Sequence, residues 1–73
     1  MDVEKVGEIC KNFRINVLKI SLTNFAKLSN EKLQNIHAFE QGRANNIKYI
    51  YMYFNACNSD QLPKLVELLF NNL

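Results

Sequence analysis

Residues 21–43 read SLTNFAKLSNEKLQNIHAFEQGR, and the spacing inside this stretch decides the fold. Ser21 precedes a helix-forming run, where its hydroxyl can accept a first-turn amide that has no helical partner. Phe25 and Ala26 are the inward residues of the short helix that follows, over about 22–28. Ala26 has reason to be small, because this helix and the next must cross closely. Ser29 and Asn30 are candidate caps for a helix over about 31–41, whose inward residues Leu33, Ile36 and Phe39 recur at helical spacing. Gly42 stands where a left-handed residue would close that helix.

Outward from this centre the helical period continues. Val6, Ile9, Cys10, Phe13 and Val17 fall on one stripe, which predicts a first helix over about 3–17. On the C-terminal side a fourth helix is expected over about 44–57. It carries one stripe of Ile47, Ile50, Tyr51, Phe54 and Cys57 and a second of Tyr49, Met52 and Tyr53. Ser59 or Asp60 can open a fifth helix over about 60–72, with Pro63 in its first turn and Leu62, Leu65, Val66, Leu69, Phe70 and Leu73 inward. Strand-like alternation is absent. The expected architecture is one all-α domain over 1–73, a compact five-helix bundle.

Composition excludes several classes of protein. Seventy-three residues leave room for one hydrophobic core. No run approaches the ~20 apolar residues of a membrane span, and the acidic start lacks the basic region of a secretory signal. A cytoplasmic protein without a membrane partner is therefore expected. Cys10 and Cys57 lie far apart without a Cys-x-x-Cys or Cys/His cluster, and read as buried thiols. With the lone His37 they do not make a closed zinc site, so no metal or cofactor is expected. No group of nucleophile, base and oxyanion donor is present either, and no glycine-rich phosphate loop. The expectation is a protein that is not an enzyme and has no small-molecule substrate.

The net charge of +2 understates a local asymmetry. Asp2, Glu4, Glu8, Asp60 and Glu67 sit near the ends. Between Ile9 and Ser59 seven basic residues (Lys11, Arg14, Lys19, Lys27, Lys32, Arg43 and Lys48) face only Glu31 and Glu40. Such a basic centre fits a polyanion partner or a solvated face.

The run from Ser21 through Phe25-Ala26 and Ile36 to Phe39-Glu40-x-Gly42-Arg43 resembles the Cro/repressor (XRE-like) family of phage and mobile-element helix-turn-helix regulators. The motif covers about a third of the chain, and five short helices extend the likeness to the whole. The resemblance implies a lambda-repressor-like fold and a sequence-specific regulator of transcription, a repressor in a bacterial cell, encoded by a phage or mobile element. Duplex DNA is then the partner, and the helix around 30–41 the reader of the major groove. Lys32, Gln34, Asn35 and His37 would be its outward residues, of types that pair with base edges. Arg43, Asn45, Asn46 and Lys48 would hold phosphate. Glu40 would pair with Arg14 in a structural ion pair.

Three positions depart from the family pattern. Asn30-Glu31 replaces a glycine followed by an aliphatic residue. Asn tolerates the left-handed conformation, but the Glu31 carboxylate would repel phosphate unless paired with Lys27 or Lys32. Leu22 stands where a phosphate-binding Gln is common, and the segment Ile15–Ile20 is one residue longer and more apolar than usual. The fifth helix also carries more large aliphatics than a domain of this size needs. Homodimerisation through Tyr53, Leu68, Leu69 and Phe70 is expected from that surplus. The alternative from another class is a small protein that binds and modulates a partner protein through its tyrosines and C-terminal leucines.

Overall fold

The hydroxyl of Ser21 accepts the amide of Asn24 at 3.1 Å from an extended backbone, and α2 (Leu22–Ser29) starts from this cap. It is one of five α-helices in a computed structural model that describes residues 3–44 and 46–72. The others are α1 (Val3–Phe13), α3 (Leu33–Glu40), α4 (Lys48–Ala56) and α5 (Leu62–Phe70). The described residues are all-helical, without a strand, and none of the helices is long and apolar enough to cross a membrane. Asn45 and Leu73 lie outside the described residues.

Val6, Cys10 and Phe13 turn inward from α1, while Ile9 and Val17 are only half-buried. The helix does not run on regularly to Val17. After Phe13 the chain widens into a π turn over Arg14–Leu18, closed by Lys19 in the left-handed region at φ 55°. The Lys19 and Ile20 amides both donate to the Arg14 carbonyl, and the Arg14 guanidinium donates back to the Ile20 carbonyl at 2.9 Å. A π turn holds one residue more than the α turn it replaces. The turn closes at the cost of one left-handed lysine.

Asn30 also adopts the left-handed conformation, at φ 54°. Its amide bonds to the Ala26 and Lys27 carbonyls, and the Glu31 amide reaches back to Ala26 at 3.0 Å. These bonds close α2 in the manner usually given to glycine. Asn30 therefore ends one helix and does not start the next, and Ser29 is the last residue of α2. The α3 helix begins two residues later than expected, behind an extended Lys32. Its inward residues are Ile36, Phe39 and Glu40. Leu33, expected inside, lies in the first turn and is 39% exposed. Gly42 takes φ +80°, and the Arg43 amide bonds to the Ala38 carbonyl.

On α4 the buried face is the second of the two stripes. Tyr49 and Tyr53 point inward, whereas Ile47 and Tyr51 are 63% and 59% exposed. The two inward tyrosines meet Phe39 at ring-centroid distances of 5.5 and 5.8 Å, and Phe25 lies 4.6 Å from Tyr53. Three helices thus share one aromatic core, an arrangement that adds to simple burial. The helix starts at Lys48, later than 44, where the Asn46 side chain accepts the Lys48 amide.

Neither Ser59 nor Asp60 caps α5. The helix follows Gln61, which makes no side-chain cap bond. The turn before it is held by Asn58, whose Oδ1 accepts the Asp60 and Gln61 amides at 2.9 Å, while Gln61 Oε1 accepts the Asn58 amide at 3.0 Å. Leu65 is fully buried against α1, and Val66 and Leu69 are half-buried. Leu62 and Phe70, expected inside, are exposed, because one neighbouring helix covers only a narrow stripe of α5.

Candidate nucleic-acid interface

The α3 helix is fixed from behind. Glu40 receives Arg14 through two parallel bonds, Nε to Oε2 at 2.9 Å and Nη2 to Oε1 at 3.0 Å. Tyr53 donates its hydroxyl to Oε2 at 2.7 Å. All three side chains are buried, and among the described residues no buried side-chain polar atom lacks a partner. The hydrogen bonds to Glu40 are the main reason that the Arg14 pKa rises above its ordinary value. Tyr53 joins this network at 0% exposure. It is therefore not at a dimer interface, because its ring is core and its hydroxyl is committed to Glu40.

The opposite side of α3 is open. Gln34 and His37 are exposed, and Gln41 continues the same row one turn later. Sequence reasoning missed Gln41, although its spacing of seven from Gln34 was the available signal. Asn35 does not share this row. It is half-buried, and its amide donates to Glu31 Oε1 at 3.1 Å, so it serves the helix start. Lys32 and Arg43 are exposed at the two ends of the helix, as is Lys27 on α2. Asn46 is exposed but spends its oxygen on the start of α4.

Glu31 is paired neither with Lys27 nor with Lys32. Its Oε1 accepts the Lys32 amide at 2.9 Å, and its Oε2 lies 3.4 Å from Lys48 Nζ. Chiefly the bond from the Lys32 amide, then the bond from Asn35, holds the Glu31 pKa below its ordinary value. Lys48 also lies over the Tyr49 ring, 5.2 Å from its centroid. The predicted phosphate ligand Lys48 is thereby engaged within the molecule.

Leu68 and Phe70 are exposed on α5, while Leu69 packs against the core. Leu68 also borders an open apolar groove of about 290 Å³ with Ile9, Phe13 and Val17. Both cysteines are free, Cys10 buried and Cys57 half-buried. Among the described residues no group of His, Cys, Asp and Glu could hold a metal ion.

The core acids make the domain sensitive to alkali. Burial, and secondarily the Glu40 charge, push the Cys10 thiol from an ordinary 9.0 up to about 12. Burial and the bond to Glu40 raise Tyr53 above its ordinary 10.0. In both cases the folded state keeps a proton that the unfolded chain gives up. Stability is then fully present below pH 9 and declines as pH rises toward the folded values, by at most about 1.4 kcal/mol per pH unit for each group. Urea midpoints are expected to fall between pH 8.5 and 11, less steeply for Cys10→Ala. A flat profile over that range contradicts the assignment.

No family model matches the chain, and no curated protein or solved structure matches it significantly.

Proposed function

We propose that this chain is a sequence-specific duplex-DNA-binding regulator of the Cro/repressor helix-turn-helix type, with α2 and α3 as the motif and α3 as the recognition helix. The observation that carries this reading is the two-sidedness of α3. Ile36, Phe39 and Glu40 are buried, whereas Gln34, His37 and Gln41 form an uncovered row flanked by Lys32 and Arg43. The three-residue connection Asn30-Glu31-Lys32 has the length found in DNA-binding helix pairs. Gln can pair with adenine in the major groove, and the flanking cations suit phosphate.

In this reading Gln34, His37 and Gln41 meet base edges, and Lys32 and Arg43 hold the backbone. The protein acts in the bacterial cytoplasm, as a repressor of a phage or mobile element, and dimerises through Leu68 and Phe70. The Asn35 amide supports the turn and does not read a base.

The two classes of contact separate by their salt dependence. Arg43→Gln is expected to weaken binding to all sequences and to flatten the slope of log K against log salt by about 0.9. Gln34→Ala is expected to cost about 1–3 kcal/mol on the preferred site and little on random duplex, with an unchanged slope. Equal losses on both duplexes for both variants contradict the assignment of α3 as the reading helix.

A second reading has its own observation. Ile47, just before α4, and Tyr51, one turn later on it, are exposed, and Phe54 beside them is half-buried. Such a row suits a protein partner, since tyrosine is enriched at protein interfaces. Retained duplex binding by Tyr51→Ala, with loss of a partner identified in cells, would give this row a separate role.

A further inference from the structure

We infer that Glu31 is a built-in competitor for DNA phosphate, an autoinhibitory contact that holds Lys48 away from the backbone until it is displaced. The inference rests on the DNA-binding reading and deepens it. Its observation is the ion pair that joins the α2–α3 connection to the start of α4. The Glu31 side chain is only 15% exposed, and both of its oxygens are in use. Oε1 accepts the Lys32 amide and the Asn35 side chain, and Oε2 faces Lys48 Nζ at 3.4 Å. These are a main-chain amide, a side-chain amide and an ammonium group, the donor types with which proteins hold phosphate oxygens.

The charge balance makes this contact consequential. Along the connection and the starts of α3 and α4, Glu31 is the acid placed among Lys27, Lys32 and Lys48. The Lys48 side chain is 56% exposed, so it can swing to solvent without unpacking the core. A partly exposed ion pair of this kind is weak and screened by salt, so a phosphate can exchange for the carboxylate. Glu31 therefore lowers affinity for every duplex equally and favours sites whose base contacts supply the difference. The ratio of specific to general binding is unchanged, but general binding is pushed below the range that matters at physiological salt.

The test uses the intact chain, Glu31→Gln, Lys48→Gln and the double variant, titrated against salt with a random-sequence 20-base-pair duplex. Gln keeps an acceptor for the Lys32 amide, and thermal melts check that each variant is folded. Glu31→Gln is expected to bind about eightfold more tightly at 0.1 M salt, with a slope steeper by about 0.9, as one further phosphate contact requires. Lys48→Gln alone is expected to change affinity less than about twofold, because any phosphate contact of Lys48 in the parent is offset by the bond to Glu31 that it gives up, and to erase the gain when added to Glu31→Gln. If the parent chain binds duplex and Glu31→Gln binds no better, the inference fails while the DNA reading stands. If the parent and Glu31→Gln both fail to bind, both are overturned. A gain in Glu31→Gln that survives Lys48→Gln assigns the effect to general charge and overturns the Lys48 contact.

Discussion

Glu40→Ala is expected to cost about 3–5 kcal/mol, because it leaves the Arg14 guanidinium buried without its counter-charge and Tyr53 without its acceptor. A domain of this size holds roughly 4–11 kcal/mol in total, by the usual 0.05–0.15 kcal/mol per residue. The variant thus gives up between roughly a quarter and all of that stability, a loss that urea titration or a thermal melt reads directly. The loss comes from the stranded charge rather than from any large net value of the ion pair. Replacing the network by Arg14→Met, Glu40→Leu and Tyr53→Phe together is therefore expected to recover most of it. Recovery remains incomplete, since Arg14 also donates to the Ile20 carbonyl at the end of the π turn. A loss below about 1 kcal/mol for Glu40→Ala contradicts the structural role given to the pair.

Gly7→Ala sets two effects of opposite sign against each other. In an exposed helix the change would stabilise by about 1 kcal/mol through helix propensity. Here the new methyl would collide with the Phe39 carbonyl and stand 3.0 Å from that of Glu40. Both are backbone atoms in the last turn of α3, so relief requires α1 to move away from α3. Overpacking of this kind costs about 1–3 kcal/mol and more where backbone must shift, so the steric cost wins. A net loss of about 2 kcal/mol lowers the melting temperature by on the order of 10 °C in a domain this small. A variant that melts above the parent would show that the two helices are less tightly apposed. Gly7 sits in an amphipathic helix with no local reason to be glycine, and that oddity was the sequence signal for a close crossing.

What could be read from the sequence depended on how local its cause was. The Ser21 cap, the inward pair Phe25 and Ala26, and the inward Ile36 and Phe39 follow from side-chain spacing within one helix. The left-handed Gly42 follows from its place after a helix. The π turn did not show, because an i→i+5 bond and an i→i+4 bond leave almost the same apolar pattern over one turn. Two apolar stripes on α4 predict burial on both of its sides, but Ile47 and Tyr51 on the first are exposed. Tertiary context chose Tyr49 and Tyr53, whose rings meet Phe25 and Phe39 and whose hydroxyl at 53 satisfies Glu40. Tyr53 was consequently assigned to a surface that it does not reach.

The candidate site divides in the same way. Gln34 and His37 are exposed because they lie on the side of α3 away from Ile36, Phe39 and Glu40. Spacing alone puts Asn35 outward with them, but its side chain is bound to a carboxylate four residues earlier. Sequence proximity points to Lys27 or Lys32 as the partner of Glu31, but the partner is Lys48 at the start of α4. The pairing of Arg14 with Glu40 came from family resemblance and could not have been derived from spacing, since 26 residues separate them.

The most direct test of the DNA reading is selection of the intact protein on random duplexes, followed by titration of the enriched sequence against salt. The account predicts a two-fold symmetric site, with half-sites about one helical turn (~10 base pairs) or a multiple of it apart, as expected for a dimeric reader. Affinity for it should exceed that for scrambled duplex by about 10³-fold or more and fall steeply as salt rises. No enriched sequence, with binding at physiological salt no better than for any basic protein, would contradict it and leave the exposed Ile47 and Tyr51 row on α4 as the surface to pursue.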